Sequence, residues 1–129
     1  MKCFLIPCLL SALITACSTP ETSSKSLDKL LLDNKEFYGR VLPKMADEDT
    51  RIDSVEVAAS ELRFNCTLVT VSKAELDVQL LEGIMREQLM REAKSLENLD
   101  LLLKQGATLV YTYADRDGVL VTEIRIRNR

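Results

Sequence analysis

The sequence predicts an α+β domain: helix, β-hairpin, long helix, β-hairpin, forming a four-stranded, mainly antiparallel sheet covered by helix on one face. Three observations carry that reading. Residues 51–71 and 107–127 each alternate apolar and polar side chains around a central turn signal. Residues 72–105 repeat apolar side chains at helical spacing, and a shorter run of the same kind precedes the first hairpin. With 129 residues, 17 Lys+Arg against 20 Asp+Glu and a net charge of -3, the chain suits one small domain, placed at 27–129, and carries no basic excess for nucleic acid. The absence of His removes Ser-His-Asp triads, Cys-His nucleophiles, His-bearing zinc sites and the commonest general base at neutral pH.

Ser26 is placed to cap the first helix, in which Leu27, Leu30, Leu31, Phe37 and Tyr38 recur on one face. Asp28, Lys29, Asp33, Lys35 and Glu36 face out, and Gly39 is a stop. Residues 42–50 contain Pro43 and the acids Asp47, Glu48 and Asp49, and read as a loop of solvated charge. No second acidic cluster supplies the further oxygen ligands a metal needs.

A two-residue turn at Ala59-Ser60 pairs Val57 with Leu62, Glu56 with Arg63 and Val55 with Phe64. That register turns Val55, Val57, Leu62, Phe64 and Cys66 to one face and makes Glu56 and Arg63 an ion pair on the other. Cys66, with no His and no partner Cys beside it, reads as a small buried hydrophobe rather than a nucleophile. Ser72-Lys73-Ala74-Glu75 has the form of a capping box and opens the long helix. Its rows Leu76-Leu80-Ile84 and Leu81-Met85-Leu89 make a stripe wide enough to cover a sheet, with a break near Ser95–Asn98 and a stop at Gly106.

The last hairpin turns at Asp115-Arg116-Asp117-Gly118, where Asp-Gly is demanded by turn geometry; the remaining ligands of a calcium loop are missing. Its parity places Leu109, Tyr111, Tyr113, Leu120, Ile124 and Ile126 against the helix, with Val110, Thr112, Val121, Glu123, Arg125 and Arg127 outside; a bulge at the loop reverses the assignment. Tyr38, Tyr111 and Tyr113 suit glycan stacking by type, but the parity turns the last two into the core.

Residues 1–16 read as a signal peptide: Lys2 gives a positive start, and the uncharged run from Cys3 to Ala16 is too short to cross about 30 Å of hydrocarbon. Leu13-Ile14-Thr15-Ala16-Cys17 resembles the lipobox of bacterial lipoproteins, which implies cleavage between Ala16 and Cys17 and lipid attachment at Cys17. Residues 17–26 then form a Ser/Thr/Pro-rich tether, whose nine residues beyond Cys17 extend to roughly 30 Å. Loss of Lys2 with the signal takes the net charge from -3 to -4, so no polybasic membrane face is present. By the same resemblance, Ser18 after the lipidated Cys implies the periplasm-facing leaflet of the outer membrane in a Gram-negative cell.

Leu42-Pro43-Lys44-Met45, Thr50-Arg51-Ile52-Asp53-Ser54-Val55, Tyr111-Thr112-Tyr113 and Asp117-Gly118 together resemble a type of small exported bacterial lipoprotein of uncharacterised function. The chain departs from that type in carrying Cys66 at an aromatic's position and in lacking a Cys pair near the last helix and the carboxyl end. The resemblance brings no catalytic residue. The expected function is therefore a non-catalytic, lipid-anchored module that needs no cofactor or metal and binds an envelope protein. Its contact surface is the outer sheet face bearing Arg63, Arg125 and Arg127. The alternative is a small-ligand, lipid or glycan site in a cleft between the long helix and the amino-terminal segment, with Met45, Met85 and Met90 as adaptable lining.

Overall fold

The computed structural model describes residues 27–128; the signal segment 1–16, Cys17 and the tether 17–26 lie outside the described residues. Helix α1 covers residues 27–39 and is followed by β1 (Lys44–Met45), β2 (Thr50–Ala58) and β3 (Glu61–Leu68). A 3-10 turn (Lys73–Glu75) leads to α2 (Val78–Ser95), α3 (Glu97–Lys104), β4 (Thr108–Ala114) and β5 (Leu120–Arg127). The expected α+β class holds, but the sheet has five strands in the order β1-β2-β3-β4-β5 rather than four, and its central pair, β3 and β4, is parallel.

Both corrections have a local cause. After β3 the chain crosses the sheet through α2 and α3 and returns to the end at which β3 began, so Glu61 aligns with Thr108 and the Thr108 amide donates to the Ser60 carbonyl. The extra strand comes from the segment read as loop. The Asp47 carboxylate accepts from the amides of Asp49 and Thr50, at 2.9 and 2.8 Å, and this Asx turn folds Lys44 and Met45 back onto Ile52 and Arg51.

The first hairpin has the expected register, Val55 with Phe64, Glu56 with Arg63 and Val57 with Leu62. Ala59 opens its turn at φ 52°, and a bulge at Asp53 separates the Ile52–Cys66 and Ser54–Asn65 pairs. The expected Glu56–Arg63 ion pair does not form across this register; the Arg63 guanidinium turns instead to Glu61 at 2.8 Å and Glu123 at 3.2 Å.

The Ser72–Glu75 box forms, but it closes the 3-10 turn rather than opening the long helix. That helix begins later, with Asp77 accepting from the Leu80 amide at its start. Leu81 and Met85 pack against the core and Leu89 and Ala93 are buried in it, whereas Leu80 and Ile84 are 61% and 57% exposed, so only one of the two expected rows is buried. The break at Ser95 and the stop at Gly106, φ 93°, fall where the sequence places them.

In the last hairpin a bulge at Val121 separates the pairs Tyr113–Thr122 and Ala114–Leu120. Val121 is therefore buried and Leu120, expected inside, is 57% exposed, while Ile124 and Ile126 keep their places. The core centres on Leu62, Leu102, Leu103, Leu109 and Ile124, each fully buried and worth about 1.5–3 kcal/mol on the transfer scale.

Helix α1 docks on this core through Leu31 and the buried Asn34. The Asn98 amide donates to Asn34 Oδ1 at 2.8 Å and to the Tyr38 hydroxyl at 2.9 Å, fastening α1 to α3. Phe37, expected on the buried face, is exposed and meets Tyr38 edge to face.

Candidate functional site

Two places concentrate the side chains singled out in the sequence. On the sheet face away from the helices, Arg63, Val110 and Arg125 align on adjacent strands. Arg63 bonds Glu61 and Glu123, and Arg125 bonds the same two carboxylates, closing a ring of two cations and two anions. Val110, in the same row on the intervening strand, has no exposed surface. The aliphatic stems of the arginines suit them to cover it.

The Arg125 hydrogen bond, with the nearby Arg63 adding to it, holds the Glu61 carboxyl below the usual carboxylate range, and Glu61 in turn raises Arg125. Arg127 lies beyond the ring, exposed and opposite Thr108, with no ion pair among the described residues. The three arginines thus share one face, but two are spent on internal partners. The rest of the face is a polar lattice in which Asn65 donates to Ser54 Oγ at 2.9 Å and Thr67 donates to Asp53.

The second place is a cavity of about 310 Å³ between α2, the end of α1, the β1–β2 turn and the inner face of the sheet. It occupies the cleft expected between the long helix and the amino-terminal segment. Of the three methionines expected to line it only Met85 does; Met45 is exposed on β1, and Met90 packs elsewhere on the core. The floor is aromatic: Tyr38 meets Phe64 edge to face at 5.3 Å, and Phe64 stacks on Tyr111 at 5.1 Å and 15°.

Cys66 and Tyr113, neighbours in the parallel β3–β4 register, complete that floor. Burial, reinforced by the field of Asp53, pushes the Cys66 thiol up to about 12, so it stays protonated and behaves as the apolar group the sequence suggested. Burial also raises both tyrosine hydroxyls. Around the mouth stand Asp47, read from the sequence as solvated charge, and Gln88 and Glu92, which the sequence did not single out. Their one available signal was sequence position: Asp47 in a tight turn and Gln88 and Glu92 at helical spacing, with the Gln88 amide donating to Glu92 at 3.3 Å.

The loop at Asp115 has a structural use. Its carboxylate accepts from the amides of Lys73, Asp117 and Val119, at 2.8, 2.9 and 2.9 Å, with Gly118 at φ 83°. No group of metal-ligating side chains occurs among the described residues, and no described helix is long and apolar enough to cross a membrane.

Neither a protein-family model nor a characterised protein sequence matches this chain. Solved structures do share its fold. A Pseudomonas aeruginosa protein assigned as secreted is 19% identical, with a TM-score of 0.64, over 81% of this chain and 92% of its own. The pilotin EpsS of the Vibrio vulnificus type 2 secretion system is 9% identical, with a TM-score of 0.67, over 83% of this chain and 93% of its own. The type II secretion system pilotin AspS of Vibrio cholerae is 13% identical, with a TM-score of 0.64, over 85% of this chain and 96% of its own.

Proposed function

We propose that this chain is a non-catalytic, lipid-anchored accessory module of the bacterial envelope that works by binding another envelope protein, as a pilotin-like component. The observation that carries the reading is the fold held in common with two type 2 secretion system pilotins over more than nine-tenths of each. The lipobox-like Leu13-Ile14-Thr15-Ala16-Cys17 supports it from the other end of the chain.

In this reading residues 1–16 are removed, Cys17 carries the lipid, and the domain works at the periplasmic leaflet of the outer membrane. Because α1 is fastened to α3 through Asn34 and Asn98, free travel is confined to the tether, roughly 30 Å when extended. Several acyl chains hold the domain at the membrane, and a partner in the same envelope layer is then met at high local concentration. The outer sheet face is the proposed contact surface. Its charge ring presents a flat, pre-ordered lattice, and Arg127 beyond the ring adds positive charge.

In-cell crosslinking with mass spectrometry tests this reading. The native protein captures one envelope protein reproducibly, and an Arg125→Glu/Arg127→Glu form, still folded, loses it. Equal capture by both forms removes the sheet face from the account, and no capture from correctly localised protein overturns the protein-binding role.

A second reading, a small-ligand site, is favoured by the cavity itself, which lies where a cleft was expected and has a buried aromatic floor.

A further inference from the structure

The cavity beside α2 divides its chemistry between floor and mouth. Phe64, Tyr111 and Tyr113 on the floor are buried, whereas Asp47 and Glu92 at the mouth are exposed carboxylates. Among the described residues no Lys or Arg lines the space. Buried phenols ordinarily find a hydrogen-bond partner. Tyr111 and Tyr113, only 8% and 3% exposed, have none for their hydroxyls among the described residues. Thr112 Oγ1 is the one fully enclosed side-chain polar atom without a partner among the described residues, and Tyr111 and Tyr113 both line the cavity. Asp47 and Glu92 line the same cavity as Tyr111 and Tyr113, so carboxylates and phenols border one volume.

That arrangement selects among ligands. An anion meets two carboxylates and no cation to offset them. A neutral apolar molecule fills the floor but leaves both phenols unpaired, at the cost of unsatisfied buried polar groups. A cation on an apolar stem meets every requirement: its N–H groups donate to carboxylate and phenol oxygens, its stem lies against Phe64, Met85 and Leu89, and the ring faces attract its charge.

We propose that this cavity binds an organic cation carried on an apolar stem, an alkylammonium or alkylguanidinium group, with its head held by Glu92, Asp47 and the Tyr113 hydroxyl. The proposal rests on the cavity being a binding site, the second reading above, and is independent of the lipid anchor and of the sheet face. The group belongs either to a free amine or to a Lys or Arg side chain of a bound protein.

Calorimetric titration of the intact protein with hexylammonium, hexanol, hexanoate and N-acetyl-lysine-methylamide tests it. Hexylammonium or the lysine analogue binds at least about tenfold tighter than hexanol, and hexanoate is rejected. The Glu92→Gln form, whose melting is unchanged because Glu92 is exposed, loses about five- to tenfold in affinity for the cation and nothing for hexanol. Binding of the lysine analogue with a weak response to hexylammonium assigns the source to a protein side chain, and the reverse assigns it to a free amine. Equal binding of hexanol and hexylammonium, or no response to any probe from normally folded protein, overturns the proposal. The crosslinking experiment is unaffected by that outcome, so the two readings fail separately.

Discussion

Arg63 on β3 reaches across β4 to Glu123 on β5, where its Nη2 lies 3.2 Å from the carboxylate oxygen, and Glu61 and Arg125 close the same ring from the other side. The face expected to bear Arg63, Arg125 and Arg127 therefore displays a neutral ring and one arginine, Arg127, without an ion pair among the described residues. Replacing Glu123 by Lys sets three positive groups side by side and lowers the melting temperature by several degrees, an effect that shrinks in high salt. Glu123→Gln changes stability by about 1 kcal/mol or less, as expected of a partly exposed pair. Thermal melts at low and high salt check both.

Acid sensitivity follows from three carboxyls held below their ordinary values. Arg125, then Arg63, lowers Glu61; the Ser72 amide and hydroxyl lower Glu75; the amides of Lys73, Val119 and Asp117 lower Asp115. A folded pKa below the unfolded one gives stability that is fully present above the unfolded value and lost as pH falls through the folded one. Denaturant midpoints are therefore flat down to about pH 5 and fall below 4.5, the ordinary value for Glu. Asp115→Asn flattens that fall while lowering stability at neutral pH, because its amide cannot reproduce the acceptor set.

Cys66 titrates from the other side. Its folded value of about 12 lies above the ordinary 9.0, so its contribution is complete below 9 and is lost as pH rises toward 12. At pH 8 only about one thiol in ten thousand is ionised, and reaction with a thiol reagent proceeds at the rate of unfolding or far below that of a free thiol. Timed mass spectrometry with iodoacetamide, in buffer and in denaturant, checks this.

Besides the apolar packing of Leu31, the docking of α1 uses the Asn98 amide. Asn98→Ala removes both donors and leaves Asn34, only 5% exposed, with its oxygen unpaired, costing about 1–3 kcal/mol. Hydrogen exchange rises across residues 27–39 while the sheet stays protected.

The bulge at Val121 sets apart two residues that alternation places on one face. Leu120→Ser leaves stability within about 0.5 kcal/mol, whereas Ile124→Ala costs about 2–5 kcal/mol. A hairpin built without the bulge gives comparable losses at both positions, and chemical denaturation separates the cases.

The legible parts of this fold were those fixed by short-range rules. The register of Val55 on Phe64 followed from a two-residue turn and strict alternation, and the ends of α2 and α3 followed from Ser95 and Gly106. What escaped was set by longer-range geometry or by one carboxylate. The parallel pairing of Glu61 with Thr108 depends on the path of α2 and α3 over the sheet, which no local pattern encodes. Strand β1 exists because Asp47 turns the chain, and the acidic run around it masked that turn as solvated charge. The same Asp47 then stands at the cavity mouth opposite Glu92, a convergence of residues 45 positions apart that alternation and helical spacing do not reveal. The arginine face was located correctly by parity, but its neutralisation by Glu61 and Glu123 required knowing that β3 and β5 flank the same strand.

Membrane fractionation of native protein beside a Cys17→Ala form tests the central claim most directly. Native protein is expected to sediment with the outer membrane and to be released by detergent. The variant, folded by its melting curve, then appears in the soluble periplasm. A Cys17→Ala form that remains with the outer membrane contradicts the lipid anchor, and with it the reading of this domain as a tethered envelope module.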